Sequence, residues 1–258
     1  TLIKNSLYHR VHIRSCLFIL VLGSLVYGNH LQNPFQFDTV AYITNHHRLD
    51  NISEQLNINY FWKEFIHRGL LQISLAFNVH LDGFRTFGFH LINLILHLIN
   101  AVLVYFITFR IWCYLGTIDC QTKENETRFV ALFTAVLFLI HPIQTESVIY
   151  IMSRSEVFAG TFYLSSFLLF QIYLVRERSI KTAFKVLVLF IISIAFILGF
   201  SVKQTLITLP LMLLLYFLFG QESESTSIRW LKKRKWRIGF ILLVGVSLLF
   251  HKLLTDEL

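Results

Sequence analysis

The sequence predicts an all-α fold: a polytopic membrane helical bundle of about seven transmembrane helices, with amphipathic interfacial helices in the first outer loop. Three observations carry this. Hydrophobic residues fill 55% of the 258 positions and charged residues 15%, against about 25% charged in a soluble domain. Mean hydropathy is +0.61. Apolar runs near the ~20 residues needed to cross a hydrocarbon core recur from one end of the chain to the other.

Those runs lie at 13–30, 88–110, 128–141, 156–175, 184–201, 204–220 and 238–254, and together they make 1–258 a single membrane domain. The first has a basic front (Lys4, Arg10, Arg14), but no small-x-small cleavage site follows Gly28, so it reads as a span rather than a removed signal. The missing initiator Met, and a stop one span past a basic loop, read as a fragment. Residues 184–220 could pass for one long helix, but Lys203-Gln204 in the middle predicts a tight hairpin. Cys16, Cys113 and Cys120 lack the spacing of a zinc site and read as ordinary small residues.

The long loop 31–87 holds much of the polar character. Asp38 follows closely on the first span, near the membrane surface, and Phe35, Phe37, Tyr42 and Trp62 suit an interfacial aromatic belt. Residues 60–79 predict an amphipathic helix with Phe61, Phe65, Leu70, Ile73 and Phe77 on one broad face. It serves either as a collar on the bundle or as a substrate contact. Asn51-Ile52-Ser53 matches a glycosylation acceptor. On the second span, His90, Asn93, His97 and Asn100 are spaced 3, 4 and 3 and form one polar stripe. Two readings fit the stripe: hydrogen bonds between helices, or a ligand touched by His90 at its outer end.

Charge sets the expected topology. Sixteen of the 23 Lys and Arg residues fall on one side of the spans: at the N-terminus, in the second-to-third and fourth-to-fifth connections, and in the sixth-to-seventh connection around Lys232–Arg237. The other seven, Arg48, Lys63, Arg68, Arg85, Arg154, Lys203 and Lys252, fall opposite. The positive-inside rule then puts the N-terminus and the loop 221–237 in the cytoplasm. The Lys232–Arg237 cluster anchors topology beside anionic lipid, so the net charge of +8 implies no nucleic-acid partner.

On the non-cytoplasmic side lies a compact polar cluster, His141-Pro142-Ile143-Gln144-Thr145-Glu146, running on to Arg154-Ser155-Glu156. Ionisable groups beside hydrocarbon are costly and mark function. Asp38, His141, Glu146, Arg154, Glu156 and Lys203 come from three separate loops, yet all fall on that face. No Walker P-loop, G-x-G-x-x-G, His-Glu-x-x-His or Gly-x-Ser-x-Gly occurs, so nucleotide-driven pumps, zincins and α/β-hydrolases find no support. No TPR period and no inverted repeat is evident either.

The order of motifs carries a resemblance. Phe35-x-Phe37-Asp38 comes first, then Phe89-His90-x-x-Asn93-x-x-x-His97-x-x-Asn100. His141-Pro142-x-x-Thr145-Glu146 and Arg154-x-Glu156 follow, then Ser201-x-Lys203-Gln204-x-x-Ile207-Thr208-x-Pro210. The chain resembles the GT-C superfamily of polytopic glycosyltransferases, above all the transmembrane-and-TPR-repeat O-mannosyltransferases and their bacterial relatives. The likeness implies that a TPR array follows the membrane part. In that family an acid usually stands where this chain has Thr39, and often where it has Gln204.

The resemblance implies transfer of a sugar from a polyprenyl-phosphate carrier, the donor substrate, to an acceptor protein or glycan on the periplasmic or luminal face. Asp38 would be the catalytic base. Arg154, Lys203 and His141 would hold the donor phosphate, and Glu146, Glu156 and His90 would orient groups or bind the sugar. No metal ligands are assigned. Simpler roles stand beside these: a loop carboxylate for Asp38, an Arg154–Glu156 salt bridge, a snorkelling Lys203 and a helix-start charge for Glu146. The competing classes are a transporter or flippase for an anionic lipid or sugar, and a catalytically silent relative. The Ile, Asn, Lys and Phe bias favours a bacterial inner membrane over the endoplasmic reticulum membrane.

Overall fold

The computed structural model describes residues 2–44, 68–114, 124–176 and 182–220. All the regular structure among them is helical: α1 (Leu2–Tyr27), α2 (Gly69–Asp82), α3 (Thr86–Tyr114), α4 (Glu124–Ile140), α5 (Gln144–Ile149), α6 (Arg154–Arg176), α7 (Thr182–Val202) and α8 (Leu209–Gly220), joined by short helical turns. Four segments are long and apolar enough to cross a membrane: Val11–His30, Thr86–Cys113, Ile151–Leu174 and Thr182–Val202. The protein is an all-α membrane bundle. The third expected span is α4, whose 17 residues rise ~25 Å, short of a ~30 Å hydrocarbon core. The sixth is the shorter apolar stretch Gln204–Phe217. The run 238–254 and the basic loop 221–237 lie outside the described residues, as do Asn51, Phe61, Trp62, Phe65 and Cys120.

Local chemistry explains where the helices stop. His141 precedes a proline, which disfavours helical backbone at the residue before it, and α4 ends there. Lys203 is extended (φ −153°) and separates α7 from the turn Gln204–Thr208 and α8, so the run 184–220 is broken at the expected place. Gly83 closes α2 with a positive φ (62°) and ψ of −139°, a backbone that favours glycine, its N–H donating to the Val79 carbonyl at 2.8 Å.

The helix expected over 60–79 is corrected. Arg68 has φ 67°, so no helix runs through it, and α2 starts at Gly69. Its buried face is Leu71, Leu75, Ala76 and Asn78. Phe77, placed by periodicity on the broad apolar face, is 46% exposed, on the side of α2 away from the bundle. Cys113 is disulfide-bonded rather than an ordinary small residue.

α3 is the central helix and packs on α1, α4 and α6, while α6 packs on α7. Ile19, Leu94, Leu98, Ala101, Ala135 and Leu139 fill the first interface. Phe167, Phe170, Val188, Ile192 and Leu213 fill the second. Small residues allow close helix approach in a membrane: a Cβ on Gly199 would lie 2.8 Å from Cβ of Phe162. Because the long helices alternate in direction, the C-terminal ends of α1, α4 and α7 meet the N-terminal ends of α3, α6 and α8 at one end of the bundle. Contacts across that end run from Tyr27 to Leu139, from His90 to Asn33, and from Arg154 to Phe89.

Candidate functional site

The polar stripe on α3 is a set of bonds to backbone carbonyls of other segments. His90 Nε2 donates to Asn33 O (3.1 Å), Asn93 Nδ2 to Tyr150 O (3.3 Å), His97 Nε2 to Leu139 O (3.1 Å) and Asn100 Nδ2 to Val157 O (3.0 Å). Leu139 O lies in the last turn of α4, where carbonyls lack helical partners, and the Tyr27 hydroxyl also donates to it (3.0 Å). In hydrocarbon such groups must find protein partners. The interhelical reading of the stripe therefore holds. His90, proposed from sequence to touch a ligand, is buried and bonded to the loop carbonyl of Asn33.

Arg154 departs most from expectation. Its guanidinium is fully buried. Nε donates to Asn93 Oδ1 (2.8 Å), Nη1 to Ser74 O and Oγ (3.1 and 3.3 Å), and Nη2 to Phe89 O (2.9 Å). Its carbon lies 5.6 Å from the centroid of the Phe89 ring. The planar fork thus ties α2, α3 and α6 together through oxygens alone. The expected phosphate contact is corrected: this guanidinium is turned into protein. The expected Arg154–Glu156 pairing is corrected too, because Glu156 pairs with Lys203.

That pair is open to solvent, with side chains 28% and 48% exposed. Burial, and next the like charge of Arg68, hold Lys203 below the ordinary lysine value. Arg68, which sequence reasoning counted only as a loop charge, stands at the start of α2, and α2 packs on α7 just ahead of Lys203. A partly exposed ion pair contributes at most ~1 kcal/mol, so an anionic ligand can displace Glu156 from the ammonium at little cost.

Asp38 is exposed, on the turn where Thr39 N bonds Gln36 O (3.1 Å) and Val40 N bonds Phe37 O (3.2 Å). Phe37 is left-handed (φ 51°), an uncommon conformation for a bulky residue. Its ring meets that of Tyr150 edge-on at 5.9 Å. Thr39, at the position of the family's second acid, is buried. His141 on the α4–α5 turn and Glu146 in the first turn of α5 are exposed, and the His141 Nδ1 accepts the Ile143 N–H (3.2 Å). Among the described residues no contact joins either side chain to Asp38 or Lys203. Nor do three His, Cys, Asp or Glu residues gather there to hold a metal.

Asp38, Glu156 and Lys203 therefore share one end of the bundle, Arg154 is the buried tie beneath them, and His90 belongs to the frame. The sequence reading missed Tyr150 and Arg68. No spacing rule marks either one; the signal for Tyr150 is its place between two short helices beside the His-Pro cluster.

No family model matches the chain, and no solved structure is similar to it. The human protein O-mannosyl-transferase TMTC1 is 30% identical over 220 residues, 78% of this chain and 23% of the relative. The mouse protein O-mannosyl-transferase TMTC1 is 31% identical over 159 residues, 57% of this chain and 16% of the relative. The Caenorhabditis elegans protein O-mannosyl-transferase F38B6.6 is 27% identical over 231 residues, 84% of this chain and 30% of the relative. The chain thus spans less than a third of the length of these curated relatives. The homologues of this chain are protein O-mannosyl-transferases of the TMTC family, in agreement with the resemblance that the Asp38, His141-Pro142 and Lys203 motifs carry.

Proposed function

We propose that the chain is membrane machinery of a GT-C-type glycosyltransferase, one that moves mannose from a polyprenyl-phosphate carrier to a protein hydroxyl. The observation that carries this is the gathering of Asp38 and the Lys203–Glu156 pair at one end of a bundle whose homologues are named protein O-mannosyl-transferases. The acceptor oxygen attacks the anomeric carbon while Asp38 takes its proton. The bond from that carbon to phosphate breaks, and the phosphate leaves with the electron pair, stabilised by the Lys203 ammonium and Arg68. His141 on the α4–α5 turn and Glu146 in the first turn of α5 face sugar or acceptor. A transporter would need its charges near the bilayer midplane, and those of this site lie at a helix-end level instead. A TPR region is proposed as a further part of the full protein.

Lys203→Met is expected to weaken binding of polyprenyl-phosphate mannose roughly tenfold to a hundredfold, the scale of one charge-assisted hydrogen bond. Binding needs the protonated amine. A lowered pKa therefore means that affinity falls as pH rises, before it reaches the ordinary lysine value of 10.5. Lys203→Arg should hold its affinity to higher pH, because a guanidinium stays charged. Equal affinity of wild type and Lys203→Met in a vesicle binding assay would refute the assignment.

The charge bias favours a cytoplasmic N-terminus, with the loop 31–87 on the opposite face. The named relatives are animal proteins, which favours the lumen of an endomembrane over the bacterial inner membrane. In that setting Asn51 is expected to carry an N-linked glycan, seen as a mobility shift removed by endoglycosidase and absent in Asn51→Gln. The disulfide at Cys113 favours the reverse orientation, since disulfides persist in oxidising compartments. An unmodified Asn51 would support that second reading.

A further inference from the structure

We infer that Tyr150 is a positioning residue for Asp38: its phenol donates to the carboxylate and holds it facing the acceptor. The inference deepens the transferase reading and rests on it. The backbone of Tyr150 is pinned on both sides. Its N–H donates to Glu146 O (3.0 Å), and its carbonyl accepts Ser153 N–H (3.0 Å) and Asn93 Nδ2 (3.3 Å). Asn93 is held in turn by Arg154, which is tied to Ser74 and Phe89. Tyr150 thus sits on the most heavily bonded part of this end of the bundle. Asp38 lies on a surface turn with positive φ at Phe37, where Thr39 N–H donates to Gln36 O and Val40 N–H to Phe37 O.

The two meet through the rings of Phe37 and Tyr150, 5.9 Å apart and nearly perpendicular. That contact sets the Tyr150 ring beside the turn that carries Asp38, close enough for the carboxylate charge to act on the phenol. Burial and the Asp38 charge push the phenol above its ordinary range, so it keeps its proton and stays a donor. A base on a loop works only if its lone pair is aimed at the proton it takes, since misplacement by ~1 Å is costly. The path Arg154–Asn93–Tyr150–Asp38 passes the rigidity of the buried core to the surface carboxylate.

Tyr150→Phe is the test, because it keeps the ring against Phe37 and removes only the donor. With polyprenyl-phosphate mannose as probe, kcat is expected to fall roughly tenfold while KM for the donor stays within about twofold. Asp38 is also expected to react severalfold faster with a water-soluble carbodiimide, read by mass spectrometry. Tyr150→His, which retains a ring donor, should lie between the two on both measures. A purely structural role would alter thermal stability and KM together and leave carbodiimide reactivity unchanged; unchanged reactivity in Tyr150→Phe overturns the inference whatever the transfer rate. Faster labelling with no mannose transfer by the wild type would support the positioning contact and refute the transferase reading.

Discussion

Asp38→Asn is expected to lower mannose transfer by ~10²–10⁴-fold, the usual contribution of a positioned general base, while binding of polyprenyl-phosphate mannose stays unchanged. Asparagine keeps the size and much of the hydrogen bonding of the side chain but cannot take the acceptor proton. Asp38 is exposed at the turn, so the substitution leaves no buried group without a partner and the fold should be unaffected. Transfer is checked with labelled mannose and binding with vesicles carrying the donor. No transfer by the wild type would make this a catalytically silent relative, and equal measurable transfer by wild type and variant would refute Asp38 as the base. Loss of donor binding together with transfer would make Asp38 a ligand of the donor rather than the base.

Arg154→Lys is expected to destabilise the bundle by ~2–5 kcal/mol, read as a fall in thermal midpoint in detergent. The guanidinium reaches three acceptor residues on two helices from a third. A lysine ammonium is a point donor without the planar fork, so Asn93, Ser74 or Phe89 would lose its partner, and each unsatisfied buried group costs ~1–3 kcal/mol. The same change should slow transfer through Tyr150 and leave donor affinity close to normal. A variant of normal stability with much weaker donor binding would instead make Arg154 a phosphate ligand, as its residue type alone suggests.

Much of the fold is legible in the sequence because the bilayer leaves few choices. Apolar length sets the spans, a polar pair such as Lys203-Gln204 breaks one run into two helices, and Pro142 stops α4. The α3 stripe is legible as a stripe because 3.6-residue periodicity puts His90, Asn93, His97 and Asn100 on one face. Its partners are not legible: Asn33, Tyr150, Leu139 and Val157 offer carbonyls, which every residue has. Which face of α2 packs on the bundle is not legible, because both sides of that helix are apolar and only the packing on Ile43, Phe89 and Ile151 selects Leu71 and Leu75.

The candidate site divides in the same way. Its location at one end of the bundle follows from the order of spans and polar loops, since successive helices must reverse direction. Which charges stay open there does not. Arg154 and Lys203 look alike in sequence, each a lone cation at a span boundary. Arg154 is fully buried because α2 folds over it and supplies Ser74, whereas Lys203 lies on the extended link between α7 and α8 and keeps contact with solvent. The sequence by itself determined a membrane bundle and the end of it where the polar loops collect, because span length and alternation are local properties. Only the tertiary structure decided which cation stays open to solvent and that Tyr150 packs beside the Asp38 turn, because burial and side-chain contacts arise from segments distant in the chain.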